Sequence, residues 1–326
     1  MHLDAAAVTS VLEYASRIAE HKAKLSLNMR LLKDLCVEAG CVANEEGLTV
    51  VEARHVKQAL RDRIFRVDFI REKIYQLIAQ DTLQVRIDGS KVGEVNGLVV
   101  LATEDFAFGA PQRITCNVFS GQAGVISIDR EAKMSGQTHD KGVLTLAGYL
   151  GWKYGQNKKL ALNTTLSFEQ SHSTIDGDSA SSTELYAILS SLSDVSLRQD
   201  IAVTGAVSQK GEVLPIGGVN QKIEGFYDIC KIKGLTGAQG VMIPRANLQN
   251  VVLREDVLEA VQEGRFHIYA VRTIDEGMEI LTGKKMGERQ AGNPYRGEYP
   301  VSSINWAIER ELERLAKVSS KSDVQK

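Results

Sequence analysis

Ile175-Asp176-Gly177-Asp178-Ser179-Ala180-Ser181-Ser182-Thr183-Glu184-Leu185 runs from an acidic, glycine-containing loop into a helix whose first turn is built from small side chains. Gly177 permits a tight backbone path. Ser179 falls where free helix N–H groups and the positive end of the helix dipole can stabilise a developing oxyanion. That is how a nucleophilic serine is displayed. An aspartate N-cap followed by ordinary small helix residues accounts for the same stretch without any chemistry, so a second reactive residue has to decide between the two.

The second residue lies downstream. Leu214-Pro215-Ile216-Gly217-Gly218-Val219 leads into a helix whose wheel places Gln221, Glu224, Asp228 and Lys231 on one side. Ile223, Phe226, Tyr227, Ile229 and Cys230 share the other, and Lys222 falls between Ile229 and Phe226, inside the apolar sector. An ammonium there is desolvated, which lowers its pKa and lets the neutral amine act as a general base. A lysine beside an apolar stripe can also simply snorkel its charge to water. With Ser179, however, Lys222 makes the Ser–Lys arrangement that substitutes for a Ser–His–Asp triad. His139 and His172 are the remaining candidate bases, each in a polar segment that reads as a loop.

The signatures HExxH, GxSxG, SxxK and GxxxxGK[ST] are absent. Gly283-Lys284-Lys285 is the nearest approach to a phosphate loop, and it lacks both the preceding glycine and the Ser or Thr that holds magnesium. No nucleotide site is expected in this chain.

Composition frames these motifs. The 326 residues are 43% hydrophobic and 25% charged, a globular balance whose length suggests two domains. A formal net charge of -2 speaks against a protein built mainly to hold nucleic acid. Cys36, Cys41, Cys116 and Cys230 show no CxxC and no metal-ligand spacing, which fits reduced thiols, no metal and a cytoplasmic setting. No signal peptide and no bilayer-length apolar run is present.

Periodicity divides the chain into α and β regions. Val8, Val11, Leu12, Ala15, Ile18 and Ala19 predict a first helix, and Leu27, Leu31, Leu32, Leu35, Cys36 and Ala39 a second that Gly40 should stop. Thr49 with Glu52 resembles a capping box opening a third helix that runs on towards Ile78. Its Arg54, Lys57, Arg61, Arg63, Arg66 and Arg71, interleaved with acids, read as an ion-paired face, with a nucleic-acid patch as the alternative. Leu83 to Ile87, a turn at Asp88-Gly89 and Val95 to Leu101 predict a hairpin.

Strands are expected at Arg113 to Phe119, Gly124 to Ile128, Leu160 to Phe168, Ile201 to Ser208, Val241 to Pro244 and Phe266 to Val271. Helices are expected after Asp140, from Ser179, from Asn220, around Val251 to Val261 and after Thr273. Gly287 to Pro300 reads as irregular, Ile304, Ile308, Leu312 and Leu315 as a terminal helix, and the last Ser and Lys residues as disordered. The fold class is α+β: a helical module over 1–80, a mixed α/β domain over 81–285 and a C-terminal extension with a helix over 286–326.

The segment Asp176 to Ser181, followed by Ala202-Val203-Thr204-Gly205-Ala206-Val207-Ser208-Gln209-Lys210-Gly211-Glu212-Val213-Leu214-Pro215-Ile216-Gly217-Gly218-Val219-Asn220-Gln221-Lys222, resembles the proteolytic domain of the Lon protease family. The likeness extends from Gly93-Glu94-Val95-Asn96-Gly97-Leu98 through His139-Asp140-Lys141-Gly142 to Val241-Met242-Ile243-Pro244 and the helix near Leu281. The Asp178-Ser179-Ala180-Ser181 form is similar to the B-type branch. The resemblance implies a ribosomal protein S5 domain 2-like fold and a Ser179–Lys222 dyad, with Thr204 near the amine and Asp176 near the nucleophile loop.

Leu25 to Leu35 around Arg30 is similar to the small α-helical subdomain of AAA+ proteins, in which Arg30 would be a phosphate sensor. ATP and magnesium would then act only through an ATPase core that this chain lacks. What the resemblance implies is a serine endopeptidase acting on unfolded polypeptide as a hexameric ring. A non-catalytic chaperone or scaffold on the same fold, and a nucleic-acid-binding module, are the alternatives.

Overall fold

The computed structural model describes residues 1–103, 106–171, 174–289 and 297–324. Strand β1 (His2–Leu3), helices α1 (Ala5–Ile18) and α2 (Met29–Glu45), strand β2 (Val50–Val51) and helix α3 (Ala53–Phe65) form an N-terminal module. Its core is Ala7, Leu35, Ala39, Ala43, Val51, Val56 and Ala59. Alanine at these facing positions lets the helices approach closely, so one short parallel β1–β2 pair suffices to close the module. Helix α2 runs through Gly40, which lies inside it and does not end it. Helix α3 is capped by Glu52 and His55 in a reciprocal box, so Thr49 is not the cap.

The third helix also stops short of Ile78. The chain turns at Arg66 to Asp68 and restarts as α4 (Phe69–Ala79), whose Tyr75 and Ile78 join a core outside the module. Five of the six basic residues here are paired with acids: Arg54 with Glu46 and Glu52, Arg63 and Arg66 with Glu38, Lys57 with Glu255, and Arg71 with Asp68, while Arg61 donates to the Gln58 side chain.

Strands β3 (Ser90–Lys91), β4 (Glu94–Ala102), β5 (Ala107–Ser120) and β6 (Gly124–Ser127) lead to helices α5 (Ile128–Glu131) and α6 (Gln137–Tyr154) and strand β7 (Leu162–Phe168). Helix α7 (Ser181–Ser193), strands β8 (Leu197–Arg198), β9 (Ile201–Val203), β10 (Ala206–Val207) and β11 (Val213–Leu214) and helix α8 (Val219–Lys233) follow. Strand β12 (Gly240–Pro244), a 3-10 turn at Arg245–Asn250, helix α9 (Glu255–Gln262), strand β13 (His267–Val271) and helices α10 (Ile274–Thr282) and α11 (Ile304–Val324) complete the chain.

A seven-stranded sheet in the order β13-β12-β9-β4-β5-β7-β6 forms the centre, giving the mixed α/β domain that the sequence implies. The expected hairpin is displaced: residues 84–87 are not in a strand, and β4 pairs antiparallel with β5 from Glu94↔Thr115 to Ala102↔Ala107. The 83–87 alternation reflects Val85 and Ile87 pointing into a core as coil.

The pleat sends alternate residues to opposite faces. Val95, Ile201, Val203 and Met242 join α6, α7, α10 and α11 on one face, while Leu98, Ala202, Val241 and Ile243 join α4, α8 and α9 on the other. Helix α11 covers α7 with Ile304, Ile308, Leu312 and Leu315, and it extends to Val324, through the serines expected to be disordered. This is why α7 is buried nearly all round.

The N-terminal module is joined to α8 by an ion pair. Arg17 of α1 donates from both terminal nitrogens to Glu224, at 2.6 Å and 2.5 Å, and the Arg254 amide donates to the same carboxylate at 2.9 Å. Arg17→Met should destabilise the chain by about 2 kcal/mol, below the roughly 3–5 kcal/mol of a fully buried pair because the arginine is partly hydrated. Urea unfolding of both proteins measures this, and an unchanged midpoint would count against the pair as a clamp.

Candidate active site

Ser179 and Lys222 arrive from opposite faces of the sheet. Ser179 precedes α7 on one face, Lys222 sits in the first turn of α8 on the other, and the two meet beyond the carboxyl end of β9. β9 lies between two parallel neighbours, β4 and β12, and sites in α/β sheets form beyond such strand ends. The Lys222 Nζ is 2.9 Å from Ser179 Oγ and 3.0 Å from Thr204 Oγ1. Thr204 leaves the end of β9, its amide donating to the Met242 carbonyl and its hydroxyl, at 3.2 Å, to the Ser179 carbonyl. The Gly205 amide donates to that same carbonyl at 2.8 Å, so the serine backbone is held by two consecutive residues.

Lys222 is 3% exposed, so it does not snorkel. Burial pulls its amine down to about 8, against the neighbouring Asp178 carboxylate, which favours the charged form. A tight approach of backbones sets its position. A Cβ on Gly109 of β5 would lie 2.8 Å from the Lys222 Cα, and Gly225 faces Gly109 in return. The Tyr75 hydroxyl of α4 donates to the Gly109 carbonyl at 2.8 Å and holds this contact from behind.

Ser179 is not at the helix start itself: α7 begins at Ser181 with Ala180 as its N-cap. The Ser181 amide donates to the Asp178 carbonyl and the Ser182 amide to the Gly205 carbonyl, so the first two N–H groups of α7 are spent on protein carbonyls. No described group accepts from the Ser179 and Ala180 amides. Asp176 turns away from the dyad. Its carboxylate accepts from the Gly177 amide at 2.7 Å and faces the Thr138 and His139 amides opening α6, interactions that hold it below the usual carboxylate range.

His139 is not in a loop: it lies in the first turn of α6 and is 1% exposed, and the acid facing it is Glu184. Burial also lowers its pKa. His172 falls outside the described residues. Arg30 stands exposed in the first turn of α2, on the N-terminal module, with Asp34 at 3.9 Å. No group of His, Cys, Asp and Glu suited to a metal occurs among the described residues, and the four cysteines are free.

The buried Lys222 amine and the Ser179 hydroxyl thus stand within hydrogen-bond distance of each other. Comparison with known sequences gives the family. Residues 2–66 match the archaeal LonB AAA+ ATPase LID domain, and residues 167–283 match the Lon protease (S16) C-terminal proteolytic domain. Together these segments make up more than half of the chain, which belongs to the Lon protease family.

A Lon protease homolog of Escherichia coli strain K12 is 34% identical over 90% of this chain and 53% of its own length. One from Haemophilus influenzae is 33% identical over 99% of the chain and 53% of its length. The archaeal Lon protease of Thermococcus kodakarensis is 29% identical over 86% of the chain and 41% of its length. The chain therefore spans about half the length of the first two relatives.

Sequence reasoning passed over Asp178 as the charge beside Lys222, Arg17 with Glu224, and the Gly109–Gly225 contact. The glycines were the available signal. Gly225 in a helix costs about 1 kcal/mol against Ala and implies a close approach.

Proposed function

We propose that this chain is the proteolytic part of a serine endopeptidase that hydrolyses peptide bonds in unfolded polypeptide, with Lys222 as general base and Ser179 as nucleophile. The observation that carries this reading is the 2.9 Å contact between a buried amine and the Ser179 hydroxyl. One N–H of neutral Lys222 donates to Thr204 Oγ1, and the Thr204 hydroxyl is committed to the Ser179 carbonyl. That leaves the amine lone pair aimed at Ser179 O–H. As the proton passes to Nζ, Oγ bonds to the substrate carbonyl carbon, and the Ser179 and Ala180 amides are the donors left for the oxyanion. The resulting ammonium returns its proton to the leaving amine, and a water repeats the sequence on the ester.

Labelled casein incubated with the wild type and with Ser179→Ala tests the assignment. Release by the wild type alone is expected, and equal release by both would remove it.

The pH dependence follows from Lys222. Below about 8 its amine is protonated and cannot accept, so turnover should rise as pH increases through about 8. Since the Asp178 charge favours the ammonium, Asp178→Asn should move this rise to lower pH. A pH–rate profile of both proteins on a peptide substrate checks it. A rise that follows His139 substitution instead would name the wrong base.

The remaining features of this reading concern the whole protein. The chain works in the cytoplasm as part of a six-membered ring, binds no nucleotide by itself, and takes ATP-driven unfolding from an ATPase core, for which Arg30 is the sensor. No helix among the described residues is long and apolar enough to cross a membrane. Light scattering tests the ring, and equilibrium dialysis with ATP tests the nucleotide statement.

A further inference from the structure

Glu184, in the first turn of α7, is 0% exposed, and neither of its carboxylate oxygens has a hydrogen-bond partner among the described residues. His139 of α6 faces it, with Nε2 3.6 Å from Oε1 and likewise no closer partner. The imidazole stands edge-on to Phe168 with ring centroids 5.4 Å apart. A further polar neighbour is the backbone of Gly177, two residues before Ser179. A buried acid and a buried base that touch little else are costly to stability, and nothing in the dyad chemistry uses them.

The loop they adjoin is held to the start of α6. The Gly136 amide donates to the Ile175 carbonyl at 2.8 Å, and the Ile175 amide to the Met134 carbonyl at 2.9 Å. Asp176 accepts at the α6 N-terminus, and Gly177 takes a φ of +93° that other residues rarely adopt. The turn that aims Ser179 thus has α6 on one side and the His139 ring beneath it.

We propose that His139 and Glu184 are a buried positioning pair that fixes the Gly177 turn, and through it the Ser179 hydroxyl, against Lys222. This deepens the serine-peptidase reading and rests on it. Burial pushes the Glu184 carboxyl up to about 8, helped by the Asp129 charge, so at neutral pH it carries a proton. Its proton faces Nε2 across 3.6 Å, which favours the tautomer with the imidazole N–H on Nδ1, towards the Gly177 backbone. Asp129 of α5, Asp140 of α6 and Asp176 of the loop are the other charges around the ring. Asp129 is occupied by the Phe168 amide at 3.0 Å and Asp140 by the Ser135 hydroxyl at 2.6 Å. Glu184 is therefore the acid available to the imidazole.

The test uses the full chain, a fluorogenic peptide and a fluorophosphonate probe that labels activated serines. His139→Leu should fold with a similar melting temperature while kcat and the labelling rate fall about 10-fold to 100-fold, the order expected of a misplaced reacting group. KM should stay within about twofold, and His139→Asn, whose amide reaches the Nδ1 position, should recover most of the loss. A folded His139→Leu that labels and turns over like the wild type overturns the pair.

If that variant does not fold, Glu184→Gln and Glu184→Met decide. The neutral amide should keep kcat and the thioether should lower it, and equal kcat in both overturns the proposal. A wild-type chain with no Ser179-dependent labelling removes the peptidase reading and this proposal together, a result distinct from either of the others.

Discussion

Lys222→Met is expected to lower peptide turnover by about 10²- to 10⁴-fold, the usual contribution of a general base, while raising the melting temperature. The two effects have one cause. Lys222 is buried with its pKa pulled down to about 8, so at neutral pH the fold holds a charge it disfavours. The unfolded chain, in which the lysine titrates near 10.4, binds more protons between those values. Stability should therefore rise with pH across that window in the wild type and not in Lys222→Met. Lys222→Arg should be as inactive, because a guanidinium stays protonated and cannot accept from Ser179. It should also be less stable, since it fixes a permanent charge at a 3% exposed position. Thermal scans paired with initial rates separate these outcomes, and a Lys222→Met protein that is both active and unchanged in stability would show that the amine is neither base nor buried cost.

Gly225→Ala should be the most damaging substitution of a residue that takes no part in the chemistry. Its Cβ would lie 2.8 Å from the Gly109 Cα and closer still to the Gly109 carbonyl, so two backbones must separate. Ala gains about 1 kcal/mol over Gly in helix propensity, which is too little to offset a clash that no rotamer can relieve. A loss of about 3 kcal/mol or more is expected. Peptidase activity should fall even in the fraction that remains folded, because α8 carries Lys222 and moves with Gly225. Denaturant titration with activity measured on the folded fraction distinguishes this from plain destabilisation. A neutral substitution would mean that the β5–α8 approach is looser than the contacts indicate.

Legibility from sequence was uneven for identifiable reasons. The α8 to α10 region was read well because each strand and helix there carries its own punctuation, as at Thr273, which accepts from the Glu276 amide, whereas the expected Ile201 to Ser208 strand ends at Val203 and resumes as β10 in a separate pair. The module between Thr49 and Ile78 was misread because a continuous helical pattern without proline hides the turn at Arg66 to Asp68. The 83–87 segment alternates like a strand, yet coil residues entering a core alternate equally well. The terminal helix was found, but not its role of covering α7, which depends on a partner far away in the chain.

What the sequence determined alone was the inventory of the site. Gly177 and Ser179 in an acidic loop, Lys222 in an apolar sector and Thr204 at a strand end are local patterns, and each is set by near neighbours in the chain. Tertiary structure decided everything that depends on two segments meeting. It brought Ser179 and Lys222 together from opposite faces of one sheet, turned Asp176 from the dyad to the cap of α6, and placed His139 in a buried first turn facing Glu184. The physical reason is that desolvation and hydrogen-bond geometry belong to pairs of surfaces. A lysine acquires a lowered pKa, and a glutamate a raised one, only when other elements close over them and exclude water.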